Sequence, residues 1–132
     1  MIAHKIELRV RYGETDQMGF CYYGNYAQFL EVARVETLRH FGISYKELEE
    51  EGVLLPVRNF SIKYIAPAKY DDIIIIHTQV SQIKNSQIIF RYTIHLEEKL
   101  IATAETELVF VSSEDFKPIK IPDSFASLKK RI

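Results

Sequence analysis

The 132-residue sequence has little cysteine, no tryptophan and almost no excess of either charge. Cys21 is the only cysteine, so an intrachain disulfide is excluded and a reducing compartment, the cytoplasm, is expected. No uncharged apolar run approaches the roughly 20 residues that span a bilayer, so we expect neither a signal peptide nor membrane insertion. With 17 Lys and Arg against 18 Asp and Glu, the net charge of -1 argues against nucleic acid as a partner.

The sequence also lacks features that would indicate a second domain or a bound cofactor. We find no internal repeat, low-complexity tract or long Gly/Ser/Pro linker, which predicts a single domain over residues 1–132. A chain of this length buries roughly two-thirds of the surface that it exposes when unfolded, which is enough for a real core. There is no glycine-rich phosphate loop, and the histidines lack paired spacing, so neither a cofactor nor a metal is expected; they are His4, His40, His77 and His95.

The first half of the chain combines one strand pattern with one long helix pattern. Apolar residues alternate from Ile6 to Tyr12, which predicts a strand ending at Gly13. A helical stripe follows over residues 26–41 and stops at Gly42. Val32 and Val35 lie on the far side of that stripe, so we expect a helix wrapped by a sheet and partly covered elsewhere.

The second half is dominated by period-two alternation. A capping-box pattern at Ser44 and Glu47 predicts a short helix ending at Gly52, and a second short helix is expected after Pro122. Between them, strands are predicted over residues 60–64, 73–80, 88–96 and 100–111, the second apolar on both faces. The order predicts an α+β fold, with one antiparallel sheet of about five strands curled around the long helix.

The segment between the first strand and the long helix has an unusual composition, GETDQMGFCYYGNY over residues 13–26. It contains Asp16, Gly19 three residues later, the pair Tyr22-Tyr23 and then Asn25-Tyr26. This order resembles the signature of the hotdog-fold acyl-CoA thioesterases, in the group of 4-hydroxybenzoyl-CoA thioesterase and YbgC-type enzymes. A second block, Tyr64-Ile65-Ala66-Pro67-Ala68, resembles the Tyr-x-x-Pro-Ala block of the same family.

The resemblance implies a hotdog fold and thioester hydrolysis without a metal or cofactor. It implies that Asp16 attacks the thioester carbonyl or activates a water molecule, and that a backbone N–H near Tyr23 polarises the carbonyl. It further implies an acyl-CoA substrate and a homodimer or homotetramer with active sites at the subunit interface. The exposed Val, Ile and Phe of the strands also favour a second subunit. The implied substrate-binding residues are Gly19, Asn25, Tyr26, Glu31, Tyr64 and Pro67.

Each residue also has a purely structural interpretation. Asp in a Gly-flanked loop commonly accepts hydrogen bonds from turn amides, and Tyr23 fits equally well as a packed interface residue. Asn25 is better explained as a helix cap than as a catalyst, and Glu31 as a solvated glutamate. Cys21 has no nearby histidine, so buried packing explains it better than catalysis.

Three questions of function stay open in the sequence. The same site could hydrolyse an acyl-acyl carrier protein, or bind acyl-CoA without turnover. Tyr23 stands where YbgC-type sequences usually carry His, so aliphatic and aromatic acyl groups both remain candidates. Hotdog dehydratase motifs such as His-Phe-Pro do not occur.

Overall fold

The computed structural model describes residues Met1–Ile132, and its elements follow the predicted order. Two single-turn 3-10 helices, Tyr12–Glu14 and Tyr23–Asn25, flank the junction segment. The strands are β1 Ala3–Arg9, β2 Val53–Leu54, β3 Val57–Tyr64, β4 Ile73–Lys84, β5 Gln87–Leu96, β6 Lys99–Val109 and β7 Val111–Ser112; the helices are α1 Tyr26–His40, α2 Tyr45–Glu50 and α3 Asp123–Lys129. The α+β architecture predicted from the alternating patterns is therefore confirmed.

Five strands form one antiparallel sheet in the order β1-β4-β5-β6-β3, while β2 and β7 pair separately. The β4–β5 hairpin turns at Asn85, whose φ of 58° is left-handed, and the β5–β6 hairpin turns at Glu97. β3 lies at one edge of the sheet, so one side of its backbone has no partner within the chain. This edge also carries Tyr64, which the sequence placed in the substrate-binding set.

α1 lies on the inner face of the sheet and provides the centre of the core. Its buried residues follow the predicted stripe, whereas Val32 on the far side is 43% exposed. Gly42 ends the helix with a φ of +85°, as the sequence predicts. The α2 cap is confirmed as well, because the Ser44 hydroxyl accepts a hydrogen bond from the Glu47 N–H at 3.3 Å.

Three details of the strand prediction are wrong. β1 ends at Arg9, because residues 12–14 form a 3-10 turn that the Arg11–Glu14 ion pair stabilises at 2.8 Å. β4 is buried on one face only: Ile74 and Ile76 lie in the core, while Ile73 is 39% exposed. The last strand is interrupted at Phe110, after which β7 pairs with β2.

The outer face of the sheet is polar at its centre, so the exposed Val, Ile and Phe that favour a second subunit do not lie there. Exposed residues there include Lys5, His77, Gln79, Arg91 and Thr93, which border a shallow depression of about 790 Å³. The exposed apolar side chains lie instead in the junction segment, in other loops and along β3. None of the three helices combines the length and apolar character that a bilayer crossing requires.

Candidate active site

Asp16 lies in a tight turn that fixes one of its two carboxylate oxygens. Oδ1 accepts hydrogen bonds from the N–H groups of Met18 and Phe20 at 3.0 and 3.2 Å. The Asp16 N–H donates to the Phe20 carbonyl at 2.8 Å, and Gly19 has a φ of +82° that favours glycine. Oδ2 has no hydrogen-bond or ion-pair partner in the chain. The carboxylate is therefore oriented through one oxygen and available through the other.

The Asp16 side chain lines a cavity of about 280 Å³ at the edge of the sheet. Most of the other lining residues are apolar or aromatic: Met18, Phe20, Cys21, Tyr23, Tyr26, Tyr64, Ile65, Ala66 and Pro67. A carboxylate beside such a wall faces less competing water than one on an open polar surface, which strengthens its interaction with a bound ligand. The two blocks that carry the family resemblance, distant in sequence, form this one cavity.

Aromatic contacts hold the tyrosines of the junction segment against β3. The Tyr64 hydroxyl donates a hydrogen bond to the Tyr23 carbonyl at 2.9 Å, and the Tyr26 and Tyr64 ring centroids are 5.3 Å apart. Burial, with smaller contributions from Cys21 and Tyr64, raises the pKa of the Tyr26 phenol well above its ordinary value. Tyr26 is therefore a neutral wall of the cavity at physiological pH.

Two backbone donors at the start of the helical segment are free. The N–H groups of Tyr23 and Gly24 donate no hydrogen bond within the chain, whereas the Asn25 N–H donates to the Tyr22 carbonyl at 3.0 Å. Free amides at the first turn of a helix carry partial positive charge and suit an oxygen that becomes negative. A Cβ on Gly24 would lie 2.7 Å from the Tyr22 ring, so any larger residue here would displace that ring.

Several hydrogen bonds tie the junction segment to the rest of the domain. The Cys21 N–H donates to the carbonyl of Ala68, the last residue of the Pro-Ala block, at 2.7 Å. The Asn25 side-chain amide donates to the Glu14 carbonyl at 2.7 Å, and the Tyr22 N–H donates to the same carbonyl at 2.8 Å. These contacts fix the turn that presents Asp16.

The structure brings together five of the eight residues singled out for catalysis or binding. Those lining the Asp16 cavity are Asp16, Tyr23, Tyr26, Tyr64 and Pro67. Gly19 shapes the adjoining turn. Asn25 does not cap α1 with its side chain, contrary to our expectation, because that side chain binds Glu14. Glu31 is exposed and borders a different cavity.

Cys21 is buried and unpaired, in keeping with a packing role. Its neighbourhood lacks a histidine, and burial raises the pKa of its thiol, with the Glu14 and Asp16 carboxylates acting in the same direction. A thiol that resists ionisation is a poor nucleophile at neutral pH.

Sequence reasoning does not predict the burial of Arg34, which follows the Asn25-Tyr26 pair of the resemblance and is only 7% exposed in the middle of α1. The signal was available, because residue 34 lies one turn after the core residue Leu30 and three residues before the core residue Thr37. It also missed two histidine contacts, a stacked pair of His4 and His40 at 4.4 Å and an edge-on pair of His77 and His95 at 5.2 Å.

A sheet curled around one long helix, with a carboxylate turn and free helix-start amides at its edge, defines a hotdog-fold protein with a site suited to acyl transfer. The profile of the Thioesterase-like superfamily matches residues 10–128, and the chain belongs to that family. The family and the fold inferred from the resemblance are thus confirmed.

Relatives span nearly the whole chain. The putative acyl-CoA thioesterase YneP of Bacillus subtilis is 34% identical over 95% of this chain and 91% of its own length. The acyl-CoA thioester hydrolase YbgC of Escherichia coli O157:H7 is 35% identical over 91% of this chain and 90% of its own. The DHNA-CoA thioesterase of Staphylococcus aureus superposes with a TM-score of 0.92 at 31% identity, covering 98% of this chain and 93% of that one.

Proposed function

We propose that this protein is an acyl-CoA thioesterase that hydrolyses the thioester to a free acid and CoA, with Asp16 as the reacting carboxylate. One observation carries the assignment of Asp16: its Oδ1 is held by two amides, its Oδ2 has no partner, and the residue lines an apolar, tyrosine-lined cavity. The names of the relatives at 31–35% identity support the same activity.

The free amides of Tyr23 and Gly24 support the second half of the mechanism. As the carbonyl carbon is attacked, its oxygen takes up negative charge, and donors already in place stabilise that charge without reorganisation. Asp16 either removes a proton from the attacking water or bonds to the carbonyl carbon itself, in which case water then cleaves the mixed anhydride. In both routes the thiolate of CoA leaves and takes up a proton.

The test is Asp16→Asn, because an amide oxygen still accepts from the Met18 and Phe20 amides but neither attacks nor accepts a proton. We expect kcat for thiol release from acyl-CoA to fall by about 10²–10⁴-fold with the fold retained. Asp72→Asn is the matched control, since Asp72 also holds a turn amide, that of Lys69 at 2.8 Å, and does not line the cavity. Equal activity in the two variants would leave Asp16 with a purely structural role.

A panel of substrates distinguishes the remaining alternatives, which are the acyl group, its carrier and binding without turnover. A panel of aliphatic and aromatic acyl-CoAs, with an acyl-acyl carrier protein beside it, identifies the preferred acyl group and carrier. Lys63 and Lys69 flank the cavity-lining segment in sequence and are our candidates for the phosphates of CoA. Binding of acyl-CoA without turnover by the wild type would instead identify a noncatalytic module.

We further propose a homodimer, or a homotetramer built from it, that forms along β3 and completes the active site. The free edge of β3 carries the exposed side chains of Val57, Phe60 and Tyr64, and Ile65 follows it. Tyr64 and Ile65 also line the Asp16 cavity, so a subunit paired there would cover its open side. The reduced, buried Cys21 supports a cytoplasmic location.

A further inference from the structure

A second cavity of about 280 Å³ lies between α1 and β3 and has a charged group in its wall. Its lining includes Ala27, Glu31 and Arg34 from α1, Val57 and Phe60 from β3, and Thr106 from β6. Glu31 and Arg34 are the two ionisable residues of this lining. The others are apolar, except for the amide of Gln28 and the hydroxyl of Thr106. The cavity shares both of its main walls with the Asp16 cavity, which is bounded by Tyr26 of α1 and Tyr64 of β3.

The Arg34 guanidinium has no carboxylate partner in the chain. It is 7% exposed, no carboxylate lies within 4 Å of it, and its polar neighbours are the Tyr45 and Tyr92 hydroxyls. Its Nε is fully buried without an acceptor, as is the nearby Tyr45 hydroxyl. A buried charge left in this state is costly, whereas a carboxylate can accept two parallel N–H bonds from a guanidinium. The Arg34 guanidinium therefore lacks an anionic partner.

Arg34 stays charged despite its burial. Burial lowers the pKa of the guanidinium, but the Tyr92 and Tyr45 hydroxyls outweigh this effect, and the pKa is raised overall. Glu31, one helix turn earlier, lines the same cavity but is exposed to solvent and forms no ion pair with Arg34. The cavity thus places a permanent cation in its wall and its only carboxylate in water.

Arg34 lies at a distance from the first cavity that an extended acyl chain can span. From Tyr26 to Arg34, α1 rises by about 12 Å, and from Tyr64 to Phe60, β3 extends by about 13 Å. An acyl chain whose carbonyl lies at Asp16 and which extends along α1 and β3 for this distance would bring its far end to Arg34. A buried cation there favours a far end that carries negative charge over one that ends in a methyl group.

We propose that Arg34 binds a carboxylate at the distal end of the acyl group, so that the substrate class is the CoA thioesters of dicarboxylic acids. This inference rests on the proposed thioesterase function and on its placement of the thioester at Asp16. Arg34 is a specificity residue in this scheme: it touches the substrate far from the reacting carbonyl and changes no step of the chemistry.

The test compares kcat/KM for pairs of acyl-CoAs of equal chain length, one ending in carboxylate and one in methyl. In the wild type we expect kcat/KM to be on the order of 10- to 100-fold higher for the carboxylate at the matching length, which is the effect of a charged hydrogen-bonded pair. Arg34→Met keeps the apolar stem and should abolish this ratio. Arg34→Lys should retain part of it, since lysine keeps the charge without the bidentate geometry.

Two further variants control for other effects. Arg39→Met makes the same chemical change on an exposed arginine of α1 that pairs with Glu36, and should leave the ratio unchanged. Glu31→Gln removes the like charge from the cavity wall and should lower KM for the carboxylate substrate more than for its methyl partner. A wild-type ratio near one, with good turnover of both substrates, would overturn the inference and leave the thioesterase assignment intact.

Equilibrium binding gives a readout that does not depend on turnover or on the folding of a variant. Calorimetry of the wild type with free dicarboxylates and with length-matched monocarboxylates should show tighter binding of the dicarboxylate at one length. No such difference would contradict the inference. So would a structure of the oligomer in which a carboxylate of a second copy pairs with Arg34. If no acyl-CoA is hydrolysed, the proposed function fails, and the binding result still decides whether Arg34 recognises a carboxylate.

Discussion

At the scale of single residues, Asp16 combines the two interpretations that its sequence context allowed. The loop amides of Met18 and Phe20 engage Oδ1, as expected for an aspartate in a Gly-flanked turn, while Oδ2 stays unpaired beside the cavity. The turn hydrogen bonds are compatible with a catalytic role of Asp16, because they fix the direction of its carboxylate. Tyr64 acts in a similar indirect way through its hydrogen bond to the Tyr23 carbonyl.

Tyr64→Phe tests whether that hydrogen bond positions the Tyr23 peptide. We expect kcat to fall about 2- to 10-fold with little change in KM, since a neutral hydrogen bond contributes about 0.5–1.5 kcal/mol. Steady-state kinetics on one acyl-CoA measures both constants. Tyr70→Phe is the control, because Tyr70 is 57% exposed and its hydroxyl makes no hydrogen bond. A change confined to KM would show that Tyr64 only contacts the substrate.

The sequence predicts part of the site and misses the rest for physical reasons. Asp16, Tyr23 and Tyr26 lie in one short segment, so a local motif is enough to find them. The burial of Arg34 is not predicted because arginine is usually a surface residue, whereas its burial here depends on how α1 packs against the sheet. Asn25 was taken for a helix cap on its position alone, but its amide reaches the Glu14 carbonyl across the loop.

At the scale of secondary structure, sequence periodicity predicts whether an element is a helix or a strand better than it predicts which of its faces are buried. The alternation over residues 88–96 corresponds to β5, and the helical stripe to α1. The isoleucine run at the start of β4 was expected to be buried on both faces, yet no layer of this chain covers the outer face of the sheet. A run of β-branched residues reports strand propensity as well as burial, and only packing separates the two.

Gly42, at the end of α1, gives a prediction at this scale. Its φ is +85° and an added Cβ would have no atom within 4 Å, so the cost of Gly42→Ala comes from the backbone alone. We expect the free energy of unfolding to fall by about 1 kcal/mol, measured by denaturant titration at fixed protein concentration. Gly13→Ala is the control, since Gly13 has equal space without a positive φ. An equal loss in both variants would contradict the backbone explanation.

At the scale of the whole molecule, exposed apolar groups are distributed unevenly. The centre of the outer sheet face is polar, whereas the β3 edge exposes Val57, Phe60 and Tyr64 next to unpaired backbone groups. An edge strand of this kind invites pairing with another strand unless charge or proline protects it. Both cavities open beside β3, so a subunit paired there would affect binding as well as stability.

Phe60→Lys tests this arrangement, with Ile73→Lys as its matched control. The two side chains are 38% and 39% exposed, but Phe60 lies on β3 and Ile73 on β4, away from that edge. We expect the wild type to have two or four times the 15.4 kDa chain mass by light scattering after size-exclusion chromatography. A lysine at position 60 places charge in the proposed interface, so this variant should shift toward a single chain and lose acyl-CoA hydrolysis in parallel. The Ile73 variant should keep both its mass and its activity. A wild type that is monomeric and fully active at micromolar concentration would show that one subunit holds the whole active site.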